Sequence, residues 1–295
     1  MVLSLQGISK FYGRIQALDN VSFNVPEGSV FGILGPNGSG KTTMLGIVMD
    51  ILKPTSGTFE IFGKPPTSTV RKDIGTLLET PNFYHYLSGE HNLAIAAEIK
   101  GKGREDVPAV LEKVNLTERR KSKFSTYSLG MKQRLAIASA LIGNPTVLVF
   151  DEPTNGLDPV GIAEIRELIK RLAGEGKTII MASHLLDEVE KVCTHVAILK
   201  RGKLLASGPV DEILVNEDIV EISAKDLSQL QLIATTLPGH SNIKKQSNCI
   251  QAFYPSGTAN LEAVNQYFFQ NGVVLNHLLL KKKSLEAKFF ELTNN

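Results

Sequence analysis

A glycine-rich run near residue 35 has the residue types and spacing of a phosphate-binding loop. An apolar run, Val30–Leu34, predicts a buried strand before it, and a helix is predicted after it over Thr42–Leu52. Glycines let successive backbone N–H groups turn toward one anion, the lysine reaches the β- and γ-phosphates, and the threonine hydroxyl can bind Mg²⁺. The run therefore predicts a nucleoside triphosphate site at a helix N-terminus. A turn that fits by chance is the alternative, and the flanking elements argue against it. The residues that fit G-x-x-x-x-G-K-[ST] are Gly35, Pro36, Asn37, Gly38, Ser39, Gly40, Lys41 and Thr42.

Two adjacent carboxylates, Asp151 and Glu152, follow an apolar run over Val147–Phe150 that predicts a buried strand. In phosphoryl transfer the first carboxylate anchors Mg²⁺, and a nearby acidic group can polarise the attacking water. Alternate residues of a strand point to opposite faces, which suits two separate roles. Taken alone, the pair is better explained as an acidic strand end without a catalytic task. Beside a phosphate loop, the catalytic interpretation is favoured.

Two further positions carry polar residues whose role the residue types alone leave open. His184 follows a predicted strand over Thr178–Ala182, so it can point into a ligand crevice and donate to a γ-phosphate oxygen. It can equally cap the next helix or be solvated. Ser128 and Gly130 lead into a predicted helix over Leu135–Ile142, and such a helix start can bind an anion. From the residues alone, a plain N-cap is the favoured explanation of Ser128.

The elements that must position these residues alternate between strand and helix. Short apolar runs without polar alternation predict strands buried on both faces of a parallel sheet, and an amphipathic pattern over Val160–Leu172 predicts a helix between two of them. Residues 87–145 are predicted to be mainly helical. Beyond Asn216 a separate pattern predicts strand, helix, strand, helix and strand. The sequence thus predicts an α/β unit over 1–215 and a small α+β unit, ferredoxin-like in pattern, over 216–295, ending in a short helix over 285–292.

Composition restricts the class of protein. The 295 residues are 42% hydrophobic and 21% charged, which is ordinary for a globular protein, and the net charge of +2 gives no electrostatic case for nucleic acid. Cys193 and Cys249 form no C-x-x-C motif and are predicted to be small core residues in a reducing cytosol. No apolar run is long enough for a signal peptide or a bilayer span, so we expect any membrane role to depend on a partner.

The motifs together, in their order and spacing, resemble those of the ATP-binding cassette (ABC) ATPases over about residues 1–215. The resemblance implies a P-loop NTPase with a RecA-like parallel sheet core, an antiparallel β subdomain and a helical subdomain. It rests on the phosphate loop, Ser128-x-Gly130, Asp151–Glu152, Asn155–Asp158 and His184.

The resemblance also implies a role for single residues. Tyr12 matches the aromatic residue that stacks on adenine, and Asp151 matches the acid linked to Mg²⁺. Glu152 matches the catalytic base, and His184 matches the histidine that contacts the γ-phosphate. Asp158 matches the loop that crosses a dimer interface. With ATP as substrate, Lys41 is expected to act in catalysis as well as binding, and Thr43 is expected to extend the nucleotide contacts.

The resemblance further implies that each site is shared between two chains. Ser128 and Gly130 match the signature that contacts the γ-phosphate bound to the other protomer, so two copies are expected to close around two ATP molecules. The signature usually reads Leu-Ser-Gly-Gly-Gln, but Leu129 stands here between the serine and the second glycine. This leucine requires negative φ, which glycine would not.

A second departure lies at Glu79, where most of the family carries a glutamine that binds Mg²⁺ and relays to the membrane subunit. The carboxylate still offers an oxygen to Mg²⁺ but adds a negative charge and loses a donor. Glutamate here, with the altered signature downstream, resembles the bacterial exporters for bacitracin and lantibiotic resistance or immunity. Segment 284–290 resembles the end of export-type cassettes. Lys281–Lys283 are better explained as a solvated charge run than as a lipid contact.

These features predict the ATPase subunit of an exporter, bound through polytopic permease subunits at the cytoplasmic face of the membrane. The substrate is predicted to be an antimicrobial peptide or drug, with Mg²⁺ as cofactor. The alternative is a non-transport ATPase of the same family, acting in translation or as a regulatory module. One set of motifs and no sustained heptads argue against this alternative.

Overall fold

The computed structural model describes residues 1–71, 73–78, 82–213, 217–255, 257–282 and 289. The chain divides into two compact units, the first over 1–210 and the second over 211–295. Some features predicted from the sequence lie outside the described residues: Glu79, the boundary at 215/216, Lys283, and all but residue 289 of segment 284–290 and of the final helix.

The first unit alternates strands and helices along the chain. Its strands are β1 Leu3–Tyr12, β2 Ile15–Val25, β3 Val30–Leu34, β4 Ser56–Ile61, β5 Ile74–Leu77, β6 Val147–Asp151, β7 Thr178–Ser183, β8 His195–Lys200 and β9 Lys203–Pro209. Its helices are α1 Lys41–Val48, α2 Ser68–Arg71, α3 Gly89–Lys100, α4 Val107–Lys113, α5 Leu129–Leu141, α6 Pro159–Gly174 and α7 Leu186–Val192, and α8 Val210–Ile213 follows at the boundary.

The main sheet has the spatial order β5-β6-β7-β3-β8-β9 in the described part of the chain. Its strands are parallel from β5 to β8, and β9 pairs with β8 in the antiparallel sense. Every residue of β3, β6 and β7 is buried, as continuous apolar runs predict for strands covered on both faces. The predicted α/β class with a parallel core is confirmed. The carboxyl ends of these strands consequently meet at one edge.

A smaller antiparallel sheet, β2-β1-β4, packs beside the main sheet. Residues of both sheets and of α1 share one apolar core that includes Leu5, Val21, Ile33, Met44 and Val149. This shared core fixes α1, and with it the loop that precedes α1, against the centre of the parallel sheet.

Helices α3, α4 and α5 lie within the region predicted to be helical. Helix α5 begins at Leu129 rather than at the predicted Leu135, because Ser128 caps it and the polar residues after Gly130 are good helix formers. Its far end approaches β5 closely. A Cβ added to Gly75 would lie 2.1 Å from the carbonyl oxygen of Ala140. Glycine at 75 therefore sets the distance between α5 and the sheet.

Gly75→Ala is expected to lower the free energy of unfolding of the first unit by about 1–3 kcal/mol, because the added methyl group must displace the α5 backbone. Gly174→Ala is the matched control, since a Cβ on this residue of α6 would meet no atom within 4 Å. The control should be neutral or slightly stabilising. Urea unfolding followed by far-UV circular dichroism measures both. A Gly75→Ala protein as stable as the wild type would contradict the close approach.

The second unit has the element order β10 Glu217–Ala224, α9 Leu227–Ala234, β11 Asn242–Lys245, β12 Ile250–Pro255, α10 Leu261–Gln270 and β13 Leu275–Lys282. Its sheet has the order β11-β12-β10-β13 with antiparallel pairs throughout. This βαββαβ arrangement is ferredoxin-like. The core contains Ile222, Leu230 and Phe268. Strand β11 was not predicted, because its mostly exposed residues, Asn-Ile-Lys-Lys, show no apolar alternation.

The two cysteines differ in environment. Cys193 is buried, and burial raises the pKa of its thiol far above the usual range. Such a thiol stays protonated and unreactive, as expected for a structural core residue. Cys249 is only partly buried, so the prediction of a core position holds for Cys193 alone. Within the described ranges, the structure contains no helix that is long and apolar enough to cross a membrane.

Candidate functional site

The glycine-rich loop joins the end of β3 to the first residue of α1, Lys41. Gly40 precedes the helix with a φ of 104°, and a Cβ there would lie 2.7 Å from the carbonyl oxygen of Ala17. A Cβ on Gly35 would lie 2.3 Å from the hydroxyl oxygen of Ser39. Both positions therefore require glycine. In the described structure no side chain caps α1, so the first-turn amides are arranged as in anion-binding helix termini.

The amine of Lys41 lies against this loop. Its Nζ atom donates to the carbonyl oxygens of Gly35 at 2.8 Å and Pro36 at 3.4 Å, and the residue is only 6% exposed. Ser39 is also buried, and its hydroxyl has no hydrogen-bond partner among the described residues. A buried hydroxyl without a partner costs about 1–3 kcal/mol. An anion at this loop would therefore be offered a lysine, a hydroxyl and the helix amides together.

The other predicted loop contacts differ in exposure. The tip of the loop, residues 36–38, is exposed, as is Thr42 in the first turn of α1. Thr43 is half-buried. The hydroxyl of Thr42 is thus accessible one residue after the lysine, where a cation beside a bound phosphate would need an oxygen ligand.

The backbone turns sharply between the two adjacent carboxylate residues at the end of β6. Asp151 is the last strand residue and is buried, whereas Glu152 has a φ of 49°, which is uncommon outside glycine. The amide N–H of Glu152 donates to the carbonyl oxygen of Ala182 at 3.0 Å, which ties this turn to β7. The two carboxylates consequently have different environments.

Glu152, His184 and Lys41 converge although they are distant in sequence. Glu152 Oε2 lies 2.8 Å from His184 Nδ1, and Glu152 Oε1 lies 3.6 Å from Lys41 Nζ. The sheet order explains this, because β7 lies between β6 and β3. His184 does not cap the following helix, whose N-cap position is Leu185. A carboxylate, an imidazole and an ammonium group therefore share the edge at which the phosphate loop begins.

Ser128 and Gly130 lie at the start of α5. Ser128 is the N-cap residue and its hydroxyl accepts from the amide of Met131 at 3.3 Å, so the N-cap explanation is confirmed. A Cβ on Gly130 would meet open space, and Leu129 between them is 49% exposed. In the described structure, no hydrogen bond or ion pair joins Ser128 to Lys41. Among the described residues, the partner of the Ser128 hydroxyl is thus the amide of Met131.

The loop after Glu152 carries Asp158, the residue predicted to lie at a dimer interface. Its carboxylate caps α6 by accepting from the amide of Gly161 at 2.8 Å. Between Glu152 and Asp158, the amide of Asn155 donates to the Glu152 carbonyl oxygen at 3.1 Å. The loop is therefore a tight turn that starts at one predicted catalytic residue and ends at a helix cap.

Tyr12 lies at the end of β1, and 45% of it is exposed. The amine of Lys10 lies 5.2 Å from the centre of the Tyr12 ring. This cation–π contact holds a lysine beside an exposed aromatic face. Lys10 was not predicted as a site residue, although its two-residue spacing from Tyr12 places both side chains on one face of the strand.

Known proteins resemble this chain in both sequence and fold. The family model described as ABC transporter matches residues 18–155. The chain is 37% identical over 298 residues to the bacitracin transport ATP-binding protein of Bacillus licheniformis, an alignment that covers 99% of this chain and 97% of that protein. It is 38% identical to the lantibiotic transport ATP-binding protein of Streptococcus pyogenes over 71% of this chain and 92% of the relative.

Solved structures resemble a large part of this chain in fold. A dimeric ATP-binding cassette in a post-hydrolysis state with ADP and Pi has a TM-score of 0.64 and 30% identity, and the match covers 70% of this chain and 98% of that one. An ATP-binding subunit of an ABC transporter has a TM-score of 0.65 and 30% identity over 72% of this chain and 92% of the other.

Proposed function

This chain belongs to the family of ABC transporter ATP-binding subunits, which are ATPases, and from that premise we propose that it powers export of a peptide antibiotic through separate membrane subunits. The similarity to a bacitracin transport protein over nearly the whole length of both chains carries the proposal. That alignment includes the second unit as well as the nucleotide-binding unit. The alternative of a translation factor is wrong, since these relatives are transport proteins.

The first step is binding of ATP by the glycine-rich loop. Lys41 and the first-turn amides of α1 hold the β- and γ-phosphates, and the hydroxyl of Ser39 gains a partner. Tyr12 stacks on the adenine. Because Lys41 already donates to loop carbonyl oxygens, its amine is held at the loop before the phosphates arrive.

The oxygen donors near this loop fit Mg²⁺. Thr42 offers an exposed hydroxyl and Asp151 a carboxylate at the end of β6, which are ligand types that Mg²⁺ prefers. No group of three or more acidic, histidine or cysteine side chains within the described ranges forms a self-sufficient metal site. Since Mg²⁺ is usually bound through one or two side chains plus substrate phosphates, it would be held by these residues, Glu79 and the ATP phosphates, and would neutralise charge that develops on the phosphates.

Hydrolysis uses the cluster at the edge of the sheet. Glu152 takes a proton from the attacking water, and His184 fixes the orientation of that carboxylate through their 2.8 Å contact and reaches the γ-phosphate. Lys41 stabilises negative charge on the transferred phosphoryl group.

A second copy of the chain completes each site. Ser128 and Gly130 of one protomer contact the γ-phosphate bound by the other, and Asp158 lies at the interface. The dimeric solved relatives support this arrangement. Closure of the two copies would then depend on ATP at both loops.

The membrane partner is a polytopic permease at the inner face of the membrane. We assign its contact to the helical region and to segment 79–86, where Tyr84, Tyr86 and Ile99 expose large apolar surfaces. A cavity of about 680 Å³ lined by Phe83, Tyr84, Ile95 and Ile99 adjoins them. Polar residues, among them His85, Asn92 and Lys100, also line it, and a groove that combines aromatic and polar groups suits an amphipathic helix of a partner.

The experiment removes the gene from its own strain and measures susceptibility to bacitracin, to a lantibiotic and to an antibiotic of unrelated class. We expect greater susceptibility to a peptide antibiotic only, restored by the wild-type gene but not by a Glu152→Gln gene. The tagged chain should copurify with a polytopic membrane protein from detergent-solubilised membranes. Unchanged susceptibility to every peptide tested would contradict the substrate class, and ribosomes instead of a membrane protein would contradict the transport role.

A further inference from the structure

Leu129 makes a contact between the start of α5 and the turn that carries Glu152. A Cβ added to Gly156 would lie 3.2 Å from Leu129 Cδ2, so the leucine side chain covers the face of Gly156 where a side chain would otherwise project. Gly156 has a φ of 74°, which independently favours glycine. The absence of a side chain at Gly156 therefore leaves room for the side chain of Leu129.

The contact leads directly to a residue of the cluster. Gly156 lies in the turn whose Asn155 amide donates to the carbonyl oxygen of Glu152 and whose Leu157 amide donates to the carbonyl oxygen of Thr154. Glu152 has the uncommon φ of 49° that aims its carboxylate at His184 and Lys41. A backbone in this region of φ persists when its surroundings hold it.

The other end of the contact is equally fixed. Leu129 is the first residue of α5, directly after the capping Ser128, and Asp158 caps α6 at the far end of the turn. Leu129 is in a helix, so a leucine at this position costs no backbone strain. It reaches across two capped helix ends without disturbing either.

We infer that Leu129 is a positioning residue that couples the signature of a chain to the Glu152 turn of the same chain. This inference rests on the proposed function, in which Ser128 and Gly130 contact ATP bound by the second copy. Arrival of that ATP at the start of α5 would then bias the turn that holds Glu152, and each site of the dimer would respond to occupancy of the other.

A double-mutant cycle in the purified full-length chain tests the contact. In the wild-type background, Gly156→Ala introduces backbone strain and places the new methyl group 3.2 Å from Leu129 Cδ2, a tighter spacing than most Cβ atoms have. In the Leu129→Ala background the strain remains and this close approach is gone. We therefore expect Gly156→Ala to reduce kcat at least about threefold less in the Leu129→Ala background than in the wild type. If Gly156→Ala reduces kcat by the same factor in both backgrounds, the inference is overturned.

Leu129→Ala alone is expected to lower kcat by roughly three- to tenfold with KM for ATP changed less than twofold, because the phosphate loop is untouched. Leu129→Met, which keeps the reach of the side chain, should retain the wild-type kcat. Val160→Ala, a truncation at a 67% exposed position in the first turn of α6, is the matched control. Gly156→Ala should reduce kcat by the same factor in the Val160→Ala background as in the wild type.

Hydrogen exchange provides a readout that does not depend on activity or dimer formation. Leu129→Ala should speed exchange of the Asn155 and Leu157 amides by roughly threefold or more, while Leu129→Met and Val160→Ala leave it unchanged. If Gly156→Ala does not fold in the wild-type background, this measurement decides, and unchanged exchange overturns the inference. A Glu152→Gln chain that forms no ATP-dependent dimer would instead contradict the proposed function.

Discussion

Glu152→Gln is expected to reduce kcat for ATP hydrolysis by about 10²–10⁴-fold while ATP binding persists. Glutamine has the same shape, so the turn at φ 49° and the contact with His184 can remain, but an amide cannot accept the proton of the attacking water. The change also removes a negative charge 3.6 Å from the Lys41 amine, where the phosphates bind. An ATP-bound dimer should therefore accumulate.

Phosphate release measures turnover, and size-exclusion chromatography with and without ATP measures the dimer. Glu167→Gln is the control, because it makes the same chemical change on a side chain of α6 that is 67% exposed and pairs with Lys170. The control should keep wild-type turnover. Hydrolysis by Glu152→Gln at the wild-type rate would remove Glu152 from the base role, whatever the oligomeric state.

Lys41→Met is expected to weaken ATP binding by roughly 10²-fold or more. The amine would make at least two charge-assisted hydrogen bonds to phosphate oxygens, each of about 1.5–3 kcal/mol, and about 1.4 kcal/mol corresponds to tenfold in affinity. Methionine fills a similar volume at this 6% exposed position, so the core beside α1 should stay packed. Turnover should fall as well, since the same amine lies beside Glu152.

Titration with a fluorescent ATP analogue measures the affinity, and far-UV circular dichroism checks that the loop change does not unfold the first unit. Lys64→Met, at an exposed lysine of the same unit, controls for loss of one positive charge. An affinity within threefold of the wild type would show that the amine stays with the carbonyl oxygens of Gly35 and Pro36 when ATP binds. The two variants separate the roles, because Glu152→Gln should lower turnover without weakening ATP binding, whereas Lys41→Met should weaken ATP binding.

Local chemistry made several features readable from the sequence. The continuous apolar run of β3, the glycines after it and the lysine at the start of α1 specify strand, loop and helix within fifteen residues or so, since each depends only on neighbours along the chain. The capping role of Ser128 was equally local. Strand β5 escaped prediction because Ile-Gly-Thr-Leu is short and its glycine reads as a turn signal, whereas the residue serves a close approach of α5.

The residue types alone predict a phosphate loop, a pair of carboxylates and a histidine at strand ends. They do not predict which strands are neighbours, because buried parallel strands are alike in composition. The fold places β7 between β6 and β3 and pairs Asp151 with Ala182. That order brings Glu152 and His184 together. The contact of Leu129 with Gly156 was also decided there, since non-local packing leaves no local pattern.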